Sequence, residues 1–307
     1  MPLVSVILPS YNHQQYIEET LQSIWAQSYP DIEIVVVDDC STDLTYSILQ
    51  KLQCKSPFPM KVYQNKQNLG PAKSINKALH LCSGDFFTPF ASDDLFMPHR
   101  YEKQIQMFQE NQSLRIVYGN GYAFDGTDIL FKLHEKDVVR LFSKEPAEVL
   151  TYLYTHVSRF TLQTALIKRD FVVSIGGWDE GGFADDWVLN IKMFQRFHDK
   201  SCYGYVDEDL VHYRIHGSNI HKNFERQKKL LLEVIKKYTP LELQKMAKSN
   251  IFWDIGVTAL AKEGLWDGIK WLSLSQWIRP DIQKVFCLFC KAAARFLKAI
   301  RRFKKKV

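Results

Sequence analysis

Over its first ninety residues this chain alternates between two hydrophobic periods, and that alternation constrains its fold more than any other feature. Apolar runs of strand length occur at Val4–Leu8, Ile32–Val37, Met60–Val62 and Phe86–Thr88. Between them the apolar residues take helical spacing: Ile17, Leu21, Ile24 and Trp25, then Leu44, Ile48, Leu49 and Leu52, then Ala72, Ile75, Ala78 and Leu79. Spacings of i, i+4, i+7 and i+8 place side chains on one helical stripe, whereas short continuous runs suit strands buried on both faces. Ser41-Thr42-Asp43 offers capping side chains before the second helical pattern, and Pro71 suits the first turn of the third. Strand–helix–strand order with short connections predicts an α/β layer around a largely parallel sheet. Such sheets bind ligands beyond the carboxyl ends of their strands, so the polar residues just after each strand carry the functional information.

Residues 100–220 mix helical and strand patterns less regularly. From about 225 the pattern is helical, over Gln227–Tyr238, Pro240–Glu263 and Trp266–Trp277, with a last helix expected at Asp281–Lys306 after Arg279-Pro280. A first domain of residues 1–224 and a helical region of 225–307 are therefore expected, with no internal repeat or low-complexity linker. No run approaches the roughly 18 apolar residues of a membrane span. The N-terminus runs directly into the first strand pattern, without the basic flank of a secretory signal. The six cysteines are scattered through a chain too long to need disulfide stapling, which fits a reducing cytoplasm.

Charge separates the tail from the body. Residues 281–307 carry nine Lys/Arg against one Asp, so of the net +6 the tail supplies +8 and residues 1–280 sit at −2. A nucleic-acid-binding domain spreads basic residues over its working face, so no nucleic-acid partner is expected. Within the tail, Val285, Phe289, Ala292, Phe296, Ala299, Ile300 and Phe303 fall on one helical face, with Lys and Arg around the rest. That profile suits a helix lying on an anionic membrane surface, and also a helix docked on the body with a basic end. Cys287 and Cys290 on this segment have no second Cys or His pair nearby to make a zinc or redox site.

Four segments carry candidate chemistry. Leu8-Pro9-Ser10-Tyr11-Asn12 ends the first strand and Val37-Asp38-Asp39 the second. In neighbouring strands Tyr11 and Asp39 share a crevice, where a ring can stack on a base and a carboxylate can accept a base N–H or ribose hydroxyl; a capping Asp is the competing reading. Asn68-Leu69-Gly70-Pro71-Ala72-Lys73 is a turn opening a helix, whose N–H groups and Lys73 can face an anion, or a plain turn with a solvated lysine. Ala91-Ser92-Asp93-Asp94 delivers two adjacent carboxylates after a strand, hard oxygen ligands of the kind Mg2+ or Mn2+ takes, although such a pair also occurs in ordinary turns. Asp185-Asp186-Trp187, after Gly176-Gly177-Trp178-Asp179, is a second acidic pair that opens a helical pattern and so also suits an N-cap.

In this order the segments resemble family-2 inverting glycosyltransferases, nucleotide-sugar enzymes of GT-A fold. The resemblance runs over residues 3–110 through Val4–Asn12, Ile17–Gln27, Val37–Asp43, Asn68-Leu69-Gly70 and Ser92-Asp93-Asp94. It implies a GT-A domain with a nucleotide-binding half (1–110) and an acceptor half (111–224). It also implies donor contacts from Pro9, Tyr11, Asn12, Asp39, Lys73, Ser92, Asp93, Asp185 and Arg214. Asp93 and Asp94 would hold Mn2+ or Mg2+, and Asp186 would act as the catalytic base. His212–Asn219 resembles a segment closing over the donor phosphates, in which Arg214 would pair with the diphosphate and His216 would ligate the metal or touch phosphate. The family commonly shows Asp-x-Asp-Asp where this chain begins with Ala91, and commonly Glu where it has Asp185. The implied reaction is inverting transfer from a nucleotide-diphosphate sugar, most simply a UDP-sugar, to a saccharide acceptor. With the tail considered, the acceptor would be a polyprenyl-diphosphate-linked saccharide of bacterial surface-polysaccharide assembly, met by an enzyme resting on the inner face of the cell membrane. Two other readings stand beside it. A nucleotidyltransferase would need a Gly-rich loop after the first strand, and Pro9–Asn12 is not one. A non-catalytic nucleotide-sugar-binding or scaffold protein is favoured by Ala91.

Overall fold

The computed structural model describes residues 1–181, 185–216, 224–262 and 265–276. The expected tail helix 281–306, with Cys287 and Cys290, lies outside the described residues, as do residues 217–219 of the His212–Asn219 segment. In chain order the elements are β1 (Val4–Ser10), α1 (Ile17–Trp25), β2 (Ile32–Asp38), α2 (Thr45–Gln53), β3 (Met60–Gln64), α3 (Pro71–Leu81), β4 (Phe86–Pro89), β5 (Leu95–Phe96) and α4 (Arg100–Glu110). Then follow β6 (Ile116–Phe124), β7 (Ile129–Lys132), α5 (Lys136–Leu141), α6 (Pro146–Thr155), β8 (Leu166–Lys168), α7 (Arg169–Ser174), α8 (Asp185–Phe194), β9 (Tyr203–Arg214), α9 (Phe224–Tyr238), α10 (Gln244–Lys262) and α11 (Leu265–Gln276).

The strands form one sheet in the order β3-β2-β1-β4-β8-β6-β9-β5, with β7 paired to β6. The first four are parallel, in the register Val4↔Ile32, Ile34↔Met60 and Val4↔Phe86. Every residue of β2 and all but Pro9 of β1 are buried, as expected of parallel strands covered on both faces. Helix α1 buries Ile17, Thr20, Leu21 and Ile24, and carries Glu18 and Glu19 in its first turn, where the positive end of the helix favours acids. Each such fully buried Ile or Leu contributes about 1.5–3 kcal/mol. Beyond β4 the sheet departs from the largely parallel expectation. The three-residue β8 runs antiparallel to both β4 and β6, which restores β6 to the direction of β4. The register of β9 beside β6 then brings the end of β9 to the same edge as the ends of β1, β2 and β4.

The chain divides into two compact units, residues 1–150 with 158–230, and 151–157 with 231–307. In the second unit α10 packs on α11, where Gly256 lets the backbones approach: a Cβ there would sit 2.7 Å from Leu272 Cγ. Phe252 and Trp271 meet across this pair with ring centroids 5.7 Å apart. Among the described residues no helix is long and apolar enough to cross a membrane.

Candidate active site

The strand ends build the site from three connected loops. After β1 the chain turns through Asn12 in a left-handed conformation (φ 54°), which Asn tolerates better than most residues. The Asn12 N–H donates to Ser41 Oγ at 2.9 Å and its Oδ1 accepts the Thr42 N–H at 2.8 Å, fixing the β1 loop to the β2 loop. Pro9 lies opposite Val37 in the parallel register, and Tyr11 presents its ring to solvent, 42% exposed. Asp39 is buried and fully engaged. Its Oδ1 accepts from Asn65 Nδ2 (2.9 Å) and the Leu69 N–H (2.8 Å), and its Oδ2 accepts the Gly70 N–H (2.8 Å). The carboxylate thus shapes the turn before α3 and does not cap its own helix, α2. Gly70 takes φ 88°, a conformation that glycine supplies without strain, and Lys73, one turn into α3, is exposed.

The two adjacent acids after β4 diverge. Strand β5 pairs antiparallel with β9, Leu95 opposite His212, which sets Asp94 against the following stretch of β9. Asp94 is fully buried, its Oδ1 accepts the Arg214 N–H at 2.6 Å, and its Oδ2 is buried without a hydrogen-bond partner. Burial first, and then the Asp93 charge, push its pKa well above the usual carboxylate range, against the pull of the Arg214 N–H and the nearby Gln163 amide. Expected as a metal ligand, Asp94 instead sits behind the site as an anchor for β9. Asp93 faces the cleft. Its Oδ2 lies 2.8 Å from His216 Nε2 and 3.8 Å from His13 Nε2.

His13, Asp93 and His216 form a group whose ligand atoms all lie within 4.8 Å of one another. Two atoms bound to one ion at about 2.1 Å stand about 3.0–3.4 Å apart in octahedral or tetrahedral geometry. The 2.8 and 3.8 Å separations bracket that range, so two imidazoles and a carboxylate fit a divalent cation. His13 Nδ1 pairs with the buried Ser92 Oγ at 2.7 Å, and the His216 ring stacks on Tyr16 with centroids 4.9 Å apart. Burial lowers the His13 pKa, opposed by the Asp93 charge. Arg214, expected at the diphosphate, is committed elsewhere: Nη2 donates to Glu19 Oε2 (2.6 Å), Nε to the Asp93 carbonyl (2.8 Å), and the guanidinium lies over Phe124 and Tyr16.

Asp186, in the first turn of α8, turns away from its own helix end. Its Oδ2 accepts the Leu162 N–H at 3.1 Å, while its carbonyl accepts from Asn190 Nδ2 at 2.7 Å. Asn190 is fully buried and its Oδ1 accepts the Tyr118 hydroxyl at 2.5 Å, which fixes the start of the helix on β6. Burial raises the half-buried Asp186 carboxyl to a pKa of about 6, with the Leu162 N–H pulling the other way. Asp185 opens α8, and its side chain lies outside what is described.

Two features join the acidic pairs, and neither has a local signal in the sequence. The 3₁₀ turn Leu162–Thr164 donates its first N–H to Asp186, while Gln163 Oε1 accepts the Ala91 N–H at 3.4 Å beside Asp93 and Asp94. The Tyr213 phenol is pushed up to about 12, by burial first and then by the charges of Asp94, Asp93 and Asp186 together. His13 directly follows the Tyr11-Asn12 segment, where its metal-ligating residue type was the only clue. A separate cavity of about 540 Å³ lies at the start of β9, lined by Tyr203, Gly204, Tyr205, Phe142 and Lys200 among others, and takes in none of these acids.

Residues 5–174 match the model of glycosyl transferase family 2, more than half of the chain. The chain belongs to that family and is a glycosyltransferase of GT-A fold. It is 43% identical over 129 residues to the putative teichuronic acid biosynthesis glycosyltransferase TuaG of Bacillus subtilis, a match spanning 42% of this chain and about half (51%) of that relative. Among solved structures it resembles S. aureus TarS 1–349 in complex with UDP-GlcNAc, with a TM-score of 0.57 at 19% identity over 89% of this chain and 90% of that one. It also resembles the mannosyltransferase PcManGT of Pyrobaculum calidifontis in complex with GDP-Man and Mn2+, with a TM-score of 0.61 at 19% identity over 96% and 87%.

Proposed function

We propose that the protein transfers a sugar, with inversion, from a UDP-sugar to a hydroxyl of a saccharide acceptor. The observation that carries this reading is the pair of different environments for the acids whose charges reach Tyr213: Asp93 stands beside two imidazoles, and Asp186 is held by the Leu162 N–H. Inverting transfer needs a single carboxylate to take the acceptor proton as the hydroxyl attacks the anomeric carbon and the bond to the diphosphate oxygen breaks. A carboxyl with a pKa of about 6 is ionised at neutral pH yet more basic than a solvated Asp, which suits Asp186 to that step. A divalent cation, Mn2+ or Mg2+, neutralises charge growing on a leaving diphosphate. Asp93 and His216 would hold it, with Ser92 steadying the site and Arg214 acting as a positioning residue through Asp93 and Asp94. Pro9, Tyr11, Asn12 and Asp39 would line the base and ribose, Tyr11 by stacking and Asp39 chiefly by holding the turn that carries Lys73. Asp185 would contact the donor sugar.

The relative named for teichuronic acid biosynthesis and the neighbour bound to UDP-GlcNAc support a UDP-sugar donor and a role in bacterial surface-polysaccharide assembly. The neighbour bound to Mn2+ supports the cation. The basic amphipathic pattern of residues 281–306 supports a lipid-linked acceptor, such as a polyprenyl-diphosphate saccharide, met at the cytoplasmic membrane face. Diphosphate-nucleoside release from a panel of nucleotide-sugars, with Mn2+ and a saccharide acceptor, tests the reaction. Asp186→Asn should keep donor binding and lose transfer. Undiminished transfer by the variant would remove Asp186 as the base, and turnover by no donor would favour the non-catalytic binding protein that Ala91 otherwise suggests. Truncation after Pro280 should abolish sedimentation with anionic vesicles, and unchanged sedimentation would remove the membrane part of the reading.

A further inference from the structure

We propose that His13 is a third protein ligand of the cation site, and that its imidazole makes the site selective for a transition metal over Mg2+. The inference rests on the metal-assisted reading above and goes beyond it in assigning a ligand and a selectivity. The starting point is a deficit. Where an Asp-x-Asp-Asp segment would offer two acids to the cleft, this chain has Ala91, and Asp94 turns inward to β9, leaving Asp93 as the only carboxylate of the group. His13 stands where a further ligand is needed, its Nε2 3.8 Å from Asp93 Oδ2.

The position of His13 is fixed by the backbone and by the buried side chain behind it. Its N–H donates to Thr45 Oγ1 at 2.9 Å, and its carbonyl accepts the Tyr16 and Ile17 N–H groups at the start of α1. Behind the ring, Nδ1 is held by Ser92 Oγ at 2.7 Å, on a serine that is itself fully buried. A metal-binding imidazole characteristically spends its other nitrogen on such a partner, which orients the ring and directs the second nitrogen to the ion. The His216 ring approaches edge-on, with centroids 6.0 Å apart, so both imidazoles reach Asp93 Oδ2 from different directions. Residue 92 therefore belongs to the site through His13. The donor set has a chemical consequence. Mg2+ takes oxygen almost exclusively and dehydrates reluctantly, whereas imidazole suits the later first-row ions, so two nitrogens and one carboxylate favour Mn2+, Co2+ or Zn2+.

The test uses the full chain, stripped with EDTA and titrated with Co2+ alone, read by its visible absorption, and with Mn2+ alone, read by loss of the free-ion EPR signal. Wild type should bind one equivalent of each more tightly than Mg2+. His13→Ala should weaken Co2+ and Mn2+ by about 10- to 100-fold or more and change the Co2+ spectrum, with Mg2+ binding little altered. Ser92→Ala, which keeps all three donors but frees the ring, should lie between. The melting temperature in EDTA separates a lost ligand from a lost fold. Co2+ binding by His13→Ala as tight as wild type, with the same spectrum, would overturn the proposal, and so would a wild type that binds no Co2+ or that prefers Mg2+. The two readings fail separately: a wild type that turns over nucleotide-sugar while His13→Ala binds Co2+ normally loses only the ligand. A wild type inert to every donor, yet binding Co2+ through His13, loses only the reaction.

Discussion

Replacing Asp186 by Asn should stabilise the fold and abolish transfer. The carboxyl has a folded pKa of about 6 against an ordinary value of 3.8, raised by burial. Two units at 1.36 kcal/mol each correspond to roughly 3 kcal/mol, reduced to about 1–3 kcal/mol because the group keeps partial access to solvent. The sign follows from the direction. A carboxyl raised in the folded state costs nothing below the unfolded value, costs progressively more as pH climbs from about 4 to about 6, and costs its full amount above that. Asn keeps an acceptor for the Leu162 N–H and carries no charge, so the cost disappears. At about 2 °C per kcal/mol for a chain of this size, the variant should melt about 2–6 °C above wild type at pH 7.5, with the gap closing near pH 4. Its kcat should fall by about 10²–10⁴, the range for loss of a general base, with donor Kd unchanged. Wild-type transfer should itself fall as pH drops through about 6, where the base takes up its proton. Circular-dichroism melts at several pH values and a diphosphate-nucleoside release assay make both measurements. Equal melting temperatures at pH 7.5, or full transfer by the variant, would refute the reasoning.

Other positions separate anchors from ligands. Asp94→Asn should leave Mn2+ affinity close to wild type and raise stability at pH 7.5, because burial holds the Asp94 pKa up and Asn still accepts the Arg214 N–H without a charge, whereas Asp93→Asn should abolish Mn2+ binding in calorimetry. Gly177→Ala should lower stability by about 2–4 kcal/mol in urea unfolding, since positive φ and overpacking add; the residue sits at φ 57°, where an added Cβ would lie 2.4 Å from Asn76 Oδ1. Glu33, although buried, has a lowered pKa because Ser5, the Ser83 N–H and hydroxyl, and Lys61 outweigh desolvation. Its stabilisation is present above the unfolded value of 4.5 and lost as pH falls through the depressed folded one. Glu33→Gln should therefore cost about 1–3 kcal/mol at pH 7, a difference that shrinks in acid melts.

Much of the first hundred residues can be read directly from the chain. Ile17–Trp25 is a helix where the spacing of Ile17, Leu21 and Ile24 says so, and Val4, Ile32, Met60 and Phe86 each lie in a strand where the apolar runs fall. The order of the segments carrying Tyr11, Asp39, Gly70 and Asp93 was enough to name the family that the family model then matched. Local periodicity can do this because burial on one or both faces is written into every turn of helix and every pair of strand residues. Pairing beyond β4 is different in kind. That β8 runs antiparallel, and so aligns the ends of β6 and β9 with the ends of β1 and β4, depends on pairing between residues some fifty to ninety positions apart. The same holds within the site. Asp93 and Asp94 are chemically alike and adjacent, and only the β5–β9 register decides that one faces the cleft and the other holds the Arg214 N–H. His13, Leu162, Gln163 and Tyr213 join the site through contacts that span the chain. Sequence determined the scaffold and the inventory of acids, because those follow from local pattern. Tertiary structure decided which acid faces the cleft and which is buried against a backbone N–H, because that depends on where each carboxylate is desolvated and what stands beside it.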